Sequence, residues 1–320
     1  MKFPAPTTVR ANGVRLAVYE QGSGFPVVLC HGFPELAYSW RHQIGPLAAA
    51  GYRAIALDQR GYGASERPSA VEAYDIRALT GDLVGLLDAL GQERAVFCGH
   101  DWGALVNWQL ALLHPERVAG IIALTYPYFP RGETDVLTAC RARFGDDMYM
   151  LYFQEPGRAD AELAADVART ARYFFRASAG LSDGERRPFE VESLALMEDF
   201  KAPEETWPGR FFLGEADLRR YVTAFENTGF TGALNWYRNL ARNWALTEGL
   251  PERIEVPCLM ISGAHDVVCG PHYTEAMVGH VPDLERHVMP DCGHWIQQEK
   301  PEETNRLICD WLRRRFPVGG

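Results

Sequence analysis

The chain has 320 residues, 47% of them hydrophobic and 23% charged, a globular composition with enough apolar material for a large core. Against 32 Lys and Arg stand 42 Asp and Glu, a net charge of −10, which argues against nucleic acid or an anionic membrane as partner. No apolar run approaches the roughly 20 residues that span a bilayer, and Met1–Arg10 lacks the apolar core of an export signal, so a soluble, cytoplasmic protein is expected.

In chain order, Val14–Glu20 and Val27–Cys30 read as strands joined by a glycine-containing turn, Gln21–Gly24. The second is an apolar run of the kind buried on both faces of a parallel sheet. A helix over Tyr38–Ala50, a strand at Tyr52–Leu57, an amphipathic helix at Asp75–Leu90, a strand at Ala95–Cys98, a helix at Ala104–His114 and a strand at Val118–Leu124 follow. This alternation predicts a mostly parallel, doubly wound α/β sheet. After Pro127 the rhythm stops, and aromatic-rich helical stretches such as Met148–Phe153 and Ala161–Phe175 take over. It resumes with a strand at Cys258–Ser262, a helix near Tyr273–Val278, a strand at Glu285–Met289 and a final helix at Pro301–Arg314, leaving Phe316–Gly320 as a loose tail. The expected organisation is a core of residues 1–130 and 247–320 carrying an inserted helical cap of residues 131–246. The seven cysteines are scattered, mostly in apolar contexts, without a CxxC pair, and read as reduced, buried thiols.

Directly after the strand at Ala95–Cys98 comes Gly99-His100-Asp101-Trp102-Gly103-Ala104, then a helix. Small residues at 99, 103 and 104 permit the sharp strand-to-helix turn of a nucleophile elbow, the hallmark of the α/β-hydrolase fold, here with Asp where ester hydrolases carry Ser. A helix N-cap is the competing reading of Asp101. The substitution has a chemical meaning, since a carboxylate is ionised at neutral pH and needs no base to become nucleophilic. On a carbonyl it would simply leave again, whereas on an sp³ carbon bearing a leaving group it forms a stable ester. Epoxides and alkyl halides are substrates of that kind.

Gly263-Ala264-His265-Asp266 follows one strand and Pro290-Asp291-Cys292-Gly293-His294 follows the next. Asp266 and His294 therefore fall on loops at the edge that carries Asp101, in the order nucleophile, acid, base. Asp291 and Cys292 lie too close to His294 in sequence to be its partners, Asp291 reading as a turn residue. His265, beside Asp266, has no motif of its own. The loop His31-Gly32-Phe33-Pro34-Glu35 is where a second oxyanion donor is expected, so the backbone N–H groups of Phe33 and Trp102 are the candidates. Pro34 suits a cis peptide in this tight turn. His100 reads as a packed neighbour of the elbow.

HGFPE at 31–35, DQRGYG at 58–63, GHDWGA at 99–104, YFQEPG at 152–157, LNWYRN at 234–239 and DCGHW at 291–295 together resemble the soluble epoxide hydrolases, the hydrolase domain of the mammalian enzymes among them, over nearly the whole chain. The resemblance implies opening of epoxides to vicinal diols through an ester on Asp101, hydrolysed by water that His294 activates. It also implies two cap tyrosines, Tyr149 and Tyr237, that hydrogen-bond the epoxide oxygen. Tyrosine hydroxyls are suitable donors to a departing alkoxide, but the residues alone do not separate these two from Tyr152, Tyr173 and Tyr221, which read as packing. Glu35, with Pro34 and His100, is carried over as a lesser candidate for positioning substrate or water. The implied reaction needs only the epoxide and water, with no metal or organic cofactor; monomer and homodimer both remain open. Haloalkane dehalogenase is the alternative, because it shares the Asp, the His and the Trp after the nucleophile. It carries Asn where this chain has Phe33, or a cap Trp, and Trp207, Trp236 and Trp244 keep that option alive.

Overall fold

The structure, a computed structural model, describes residues 3–182 and 194–318. Its strands are β1 (Thr7–Ala11), β2 (Val14–Gln21), β3 (Pro26–Cys30), β4 (Arg53–Asp58), β5 (Ala95–His100), β6 (Val118–Leu124), the short β7 (Arg176–Ala177) and β8 (Arg210–Phe211), β9 (Cys258–Gly263) and β10 (Leu284–Met289). Eight of them form one sheet in the order β1-β2-β4-β3-β5-β6-β9-β10. From β4 to β10 all neighbours are parallel, while β1 and β2 join antiparallel at one edge. β7 and β8 pair with each other, apart from the sheet.

Every residue of β3, β5 and β6 is buried, as expected of central parallel strands covered on both faces. Side chains alternate between the two faces. Val27 and Leu29 pack on the side of Ile308, Trp311 and Leu312 from the helix Pro301–Arg315. Val28 and Cys30 pack on the side of the helices Ile76–Ala89 and Trp102–Leu113.

Several stretches differ from the sequence expectation, which lacked β1 and placed a helix near Tyr273–Val278 where a 3-10 helix runs over Pro271–Met277. The helix expected over Tyr38–Ala50 is a 3-10 turn at Ala37–Trp40 followed by a short helix at Ile44–Ala49, because Pro46 offers no N–H and its ring would crowd the carbonyl four residues earlier. The stretch Ala161–Phe175 is two helices, Arg158–Ala165 and Val167–Phe174; the extended Asp166 ends the first and caps the second through Arg169 N–H at 2.8 Å. Phe316, expected in a loose tail, packs against Phe25 and Trp311, and its carbonyl accepts from the Tyr52 hydroxyl at 3.0 Å. Gly319 and Gly320 of that tail, and residues 183–193 of the expected cap, lie outside the described residues.

Between β6 and β9 the chain leaves the sheet and forms helices from Val136 to Leu246, with the β7–β8 ribbon among them. Its last part is bolted to the core. Trp236 Nε1 donates to Arg60 O at 3.0 Å, Asn239 Nδ2 to Val71 O at 2.6 Å, and Ile76 N to Asn243 Oδ1 at 2.8 Å. Arg60 is itself held by buried Asp82, Nε to Oδ2 at 2.7 Å. The DQRGYG and LNWYRN segments thus meet face to face.

Candidate active site

Asp101 stands between β5 and the helix Trp102–Leu113 with φ 52° and ψ −120°. An L-residue in such a conformation carries strain on the order of 1–3 kcal/mol, tolerated where the surroundings dictate it. Those surroundings are tight: a Cβ on Gly103 would run into the carbonyl of Cys30, and one on Gly32 would lie 2.5 Å from Asp101 Cβ. Asp101 occupies the N-cap position, yet its side chain makes no capping hydrogen bond. Instead Oδ1 accepts from the Phe33 backbone N–H at 2.9 Å. The geometry is that of an elbow, not of a cap.

Two more loops at the same sheet edge bring Asp266 and His294 to it. The loops are tied together by Ala264 N–H on Met289 O and His265 N–H on Cys292 O, both 2.9 Å. Oδ1 of buried Asp266 accepts from Val268 N–H at 2.8 Å and Cys269 N–H at 3.1 Å, which leaves Oδ2 facing His294 Nδ1 at 3.0 Å. The other ring nitrogen of His294, Nε2, lies 3.8 Å from Asp101 Oδ2. Burial by itself would raise the Asp266 carboxyl, but the charge and hydrogen bond of His294 and the two backbone donors outweigh it and hold the group ionised, below its ordinary range. For His294 burial pulls downward, and attraction to Asp266, the hydrogen bond to it and the negative charges of Asp101 and Glu35 prevail, lifting the imidazole to about 9.

The cap supplies Tyr149, at the start of the helix Tyr149–Tyr152, and Tyr237, in the helix Thr231–Arg238. Their rings meet edge to face at 5.9 Å, and Tyr237 also packs on Trp102 at 5.0 Å and Phe33 at 5.4 Å. Both hydroxyls are raised well above the ordinary tyrosine value by burial first; for Tyr149 the charge of Asp101 comes next, for Tyr237 the neighbouring Tyr149 and then Asp101. They stay protonated and can donate. Gln154 of the YFQEPG segment links the two helices, its Nε2 donating to Met150 O at 2.7 Å and Tyr237 O at 3.0 Å.

Two cavities open on either side of this junction, and Asp101, Tyr149 and Tyr237 line both. The smaller, about 140 Å³, is walled by His294, Trp295, Phe174, Arg176 and Ser178 among others. The larger, about 550 Å³, runs past Trp108, Leu112, Phe129, Phe144 and Trp244 and is predominantly apolar.

Other sequence candidates sit behind these walls. Glu35 and His100 are fully buried and line neither cavity. His100 Nδ1 meets Glu35 Oε2 at 2.6 Å, and His100 Nε2 donates to the carbonyl of His294 at 2.9 Å. Glu35 Oε2 accepts as well from Gly32 N–H at 2.9 Å, and Oε1 from Gln297 and Gln298 at 3.0 Å each. Burial would raise Glu35, but His100 and the Gly32 N–H bring it down to about 2. These groups hold the loops of Phe33 and His294 from beneath and do not reach the cavities, as direct positioning of substrate or water would require. The Phe33–Pro34 peptide is cis. Tyr152 and Tyr221 face away, bonded to Glu162 and Ser39, whereas Tyr173, expected as packing, lines the smaller cavity. Cys292 is buried, which pushes its thiol far up and leaves it a poor nucleophile. Sequence reasoning gave Gln154 no role of its own, considered Trp236 only as a halide donor, and missed Glu299; each has at least one backbone partner far away in the chain, Tyr237 O, Arg60 O and the Ser178 and Ala179 amides.

A family model described as alpha/beta hydrolase fold matches residues 26–301. The chain is 48% identical to epoxide hydrolase A of Mycobacterium tuberculosis, over 98% of each chain. It is 42% identical to bifunctional epoxide hydrolase 2 of Sus scrofa, over 94% of this chain and 53% of that longer one. Among solved structures it resembles epoxide hydrolase A from Mycobacterium thermoresistibile (TM-score 0.84, 47% identity, 97% and 98% covered). A Vigna radiata epoxide hydrolase is similar at TM-score 0.85 and 36% identity, with 98% and 99% covered.

Proposed function

The chain belongs to the alpha/beta hydrolase fold family and is an epoxide hydrolase, and from that premise we propose that it turns epoxides into vicinal diols through an ester on Asp101. In the first half, Asp101 Oδ2 attacks a ring carbon, the carbon–oxygen bond breaks, and its electron pair goes to the epoxide oxygen. That oxygen takes a proton from Tyr149 or Tyr237. In the second half, His294, oriented by Asp266, takes a proton from a water that attacks the ester carbonyl carbon of Asp101, while the backbone N–H groups of Phe33 and Trp102 hold the oxyanion. Collapse releases the substrate oxygen, which takes the proton back from His294; the second water proton returns to the tyrosinate.

One observation carries this reading. Asp101 Oδ1 is engaged by Phe33 N–H while Oδ2 is the oxygen nearer His294 Nε2, and Asp101 lines the same two cavities as both tyrosines. A single carboxylate thus presents one oxygen as nucleophile and keeps the other in the oxyanion site. The alternative, haloalkane dehalogenation, is not favoured by the relatives; Phe33 offers no side-chain donor, and the indole N–H groups of Trp207, Trp236 and Trp244 donate to the carbonyls of Asp199, Arg60 and Gly132.

In this reading residues 131–246 act as the cap over a core of 1–130 and 247–320, and unequal cavities accept epoxides with substituents of unequal size. A cytoplasmic setting fits seven unpaired cysteines, six of them buried. No helix among the described residues is long and apolar enough to cross a membrane. The deciding assay is diol formation from styrene oxide measured beside halide release from a 1-haloalkane of similar size. Diol without halide is expected; halide release at a comparable rate would replace this reading with the dehalogenase one.

A further inference from the structure

The carboxylate of Glu299 receives five hydrogen bonds from the backbone of two separate segments. Gly293 N–H reaches both oxygens, Oε1 at 3.2 Å and Oε2 at 3.1 Å, and Trp295 N–H reaches Oε1 at 3.0 Å. These residues flank His294 on either side. On the other side, Ser178 N–H at 2.9 Å and Ala179 N–H at 3.0 Å donate to Oε2. Ser178 follows β7 in the cap and lines the smaller cavity together with Asp101 and His294. The next cap residue, Gly180, donates its N–H to both oxygens of Asp291 at 3.0 Å, so three consecutive cap amides are taken by carboxylates of the loop that carries His294 or of the helix that follows it.

We infer that Glu299 is a positioning residue: it fixes the backbone on both sides of His294 and fastens that loop to the cap, so that the base is in register when the cap covers the site. The inference rests on the proposed role of His294 as the base. Hydrogen bonds to an ionised acceptor are roughly twice as strong as neutral ones, and those on Glu299 are divided between core and cap. The packing leaves little slack, since a Cβ on Gly293 would lie 2.8 Å from Ser178 Oγ and 2.9 Å from Glu299 Oε1. The neighbouring anchors, His100 Nε2 on the His294 carbonyl and His265 N–H on the Cys292 carbonyl, stay within the core. Glu299 is the group among these that reaches the cap as well.

The step that depends on this arrangement is ester hydrolysis. Ester formation uses Asp101 and the two tyrosines and does not require His294 to be in place. Glu299→Gln puts an NH₂ group against N–H donors and can satisfy only one of the two segments. Fast-quench kinetics of E299Q should therefore show ester formation within about threefold of the wild type, and ester hydrolysis slower by on the order of 10- to 100-fold, the scale for a catalytic group displaced by a fraction of an ångström to an ångström. Glu299→Asp, which keeps the charge on a shorter arm, should fall between, and hydrogen exchange in E299Q should quicken at 178–180 and 293–295 together. Equal losses in both steps, or no change in either, overturn the role. His294→Gln run in parallel separates the two assignments: if it fails to accumulate ester, the base assignment itself falls, and if it accumulates ester while E299Q and E299D do not slow hydrolysis, the positioning role alone falls.

Discussion

The backbone N–H of Phe33 lies 2.9 Å from Asp101 Oδ1, on the side of the carboxylate away from His294, whose Nε2 is 3.8 Å from Oδ2. The two oxygens are therefore inequivalent before any substrate arrives. Oδ1 already rests on a donor that suits an oxyanion, and Oδ2 is the one open to a substrate carbon.

This inequivalence makes an isotope prediction. A single turnover in ¹⁸O-water should give unlabelled diol and leave one ¹⁸O in the Asp101 carboxylate, because water enters at Cγ and the diol departs with the former Oδ2. A second turnover on the labelled enzyme should release labelled diol. Mass spectrometry of the Asp101 peptide and of the product checks both, and label in the first-turnover diol would point to direct attack of water on the epoxide.

His294→Gln should trap the ester. Attack by Asp101 does not use the imidazole, whereas hydrolysis does. Intact-mass measurement after incubation with substrate should find the protein heavier by one substrate molecule, and folded H294Q that stays unmodified argues against the base assignment.

Charge coupling between Asp101 and His294 predicts how the base is switched on. Burial lowers the imidazole, and Asp266, Asp101 and Glu35 together lift it to about 9. At neutral pH the resting His294 is therefore mostly protonated and unable to accept a proton. Esterification removes the Asp101 charge and with it one of the upward pulls, so the imidazole gives up its proton more readily when it is needed. Asp101→Asn imitates the ester in charge and shape. NMR titration of its His294 should give a pKa below that of the wild type, and an equal or higher value would break the coupling.

Much of this site could be anticipated because its parts obey local rules. Asp101 and Asp266 each follow a buried apolar strand and His294 follows the edge strand β10, so knowing that those strands are parallel places all three residues at one edge. The sheet was legible for the same reason, since runs such as Val118–Leu124 are apolar throughout. β1 was not, although Asn12-Gly13, both at positive φ, is a two-residue hairpin signal; Thr7–Ala11 is mostly exposed or half-buried and shows no apolar face. Tyr149 and Tyr237 stood out from the other cap tyrosines only through the family resemblance. Gln154 and Trp236 lay inside the YFQEPG and LNWYRN motifs, but their contacts to Tyr237 O and Arg60 O, like those of Glu299 to the Ser178 and Ala179 amides, were not legible, because a side chain that binds distant backbone carries no spacing rule.

The last prediction concerns those tyrosines. Their hydroxyls are kept protonated by burial and by negative charge nearby, and they face the same carboxylate from two different helices. Replacing either by Phe removes a donor and keeps the edge-to-face ring contacts that hold Tyr237 against Trp102 and Phe33. The loss should therefore appear in ester formation, with hydrolysis of a preformed ester nearly untouched. Two donors share one developing charge, so each single variant keeps a residual rate through the other. By analogy with a deleted oxyanion donor each loss is on the order of 10²-fold, and the double variant should lose considerably more. The fold should be retained in all three, checked by an unchanged circular dichroism spectrum. Fast-quench measurement of the ester separates the possibilities: wild-type rates of ester formation in Y149F, Y237F and the double variant would reduce both residues to packing, and the alkoxide would need another donor at the cavity junction.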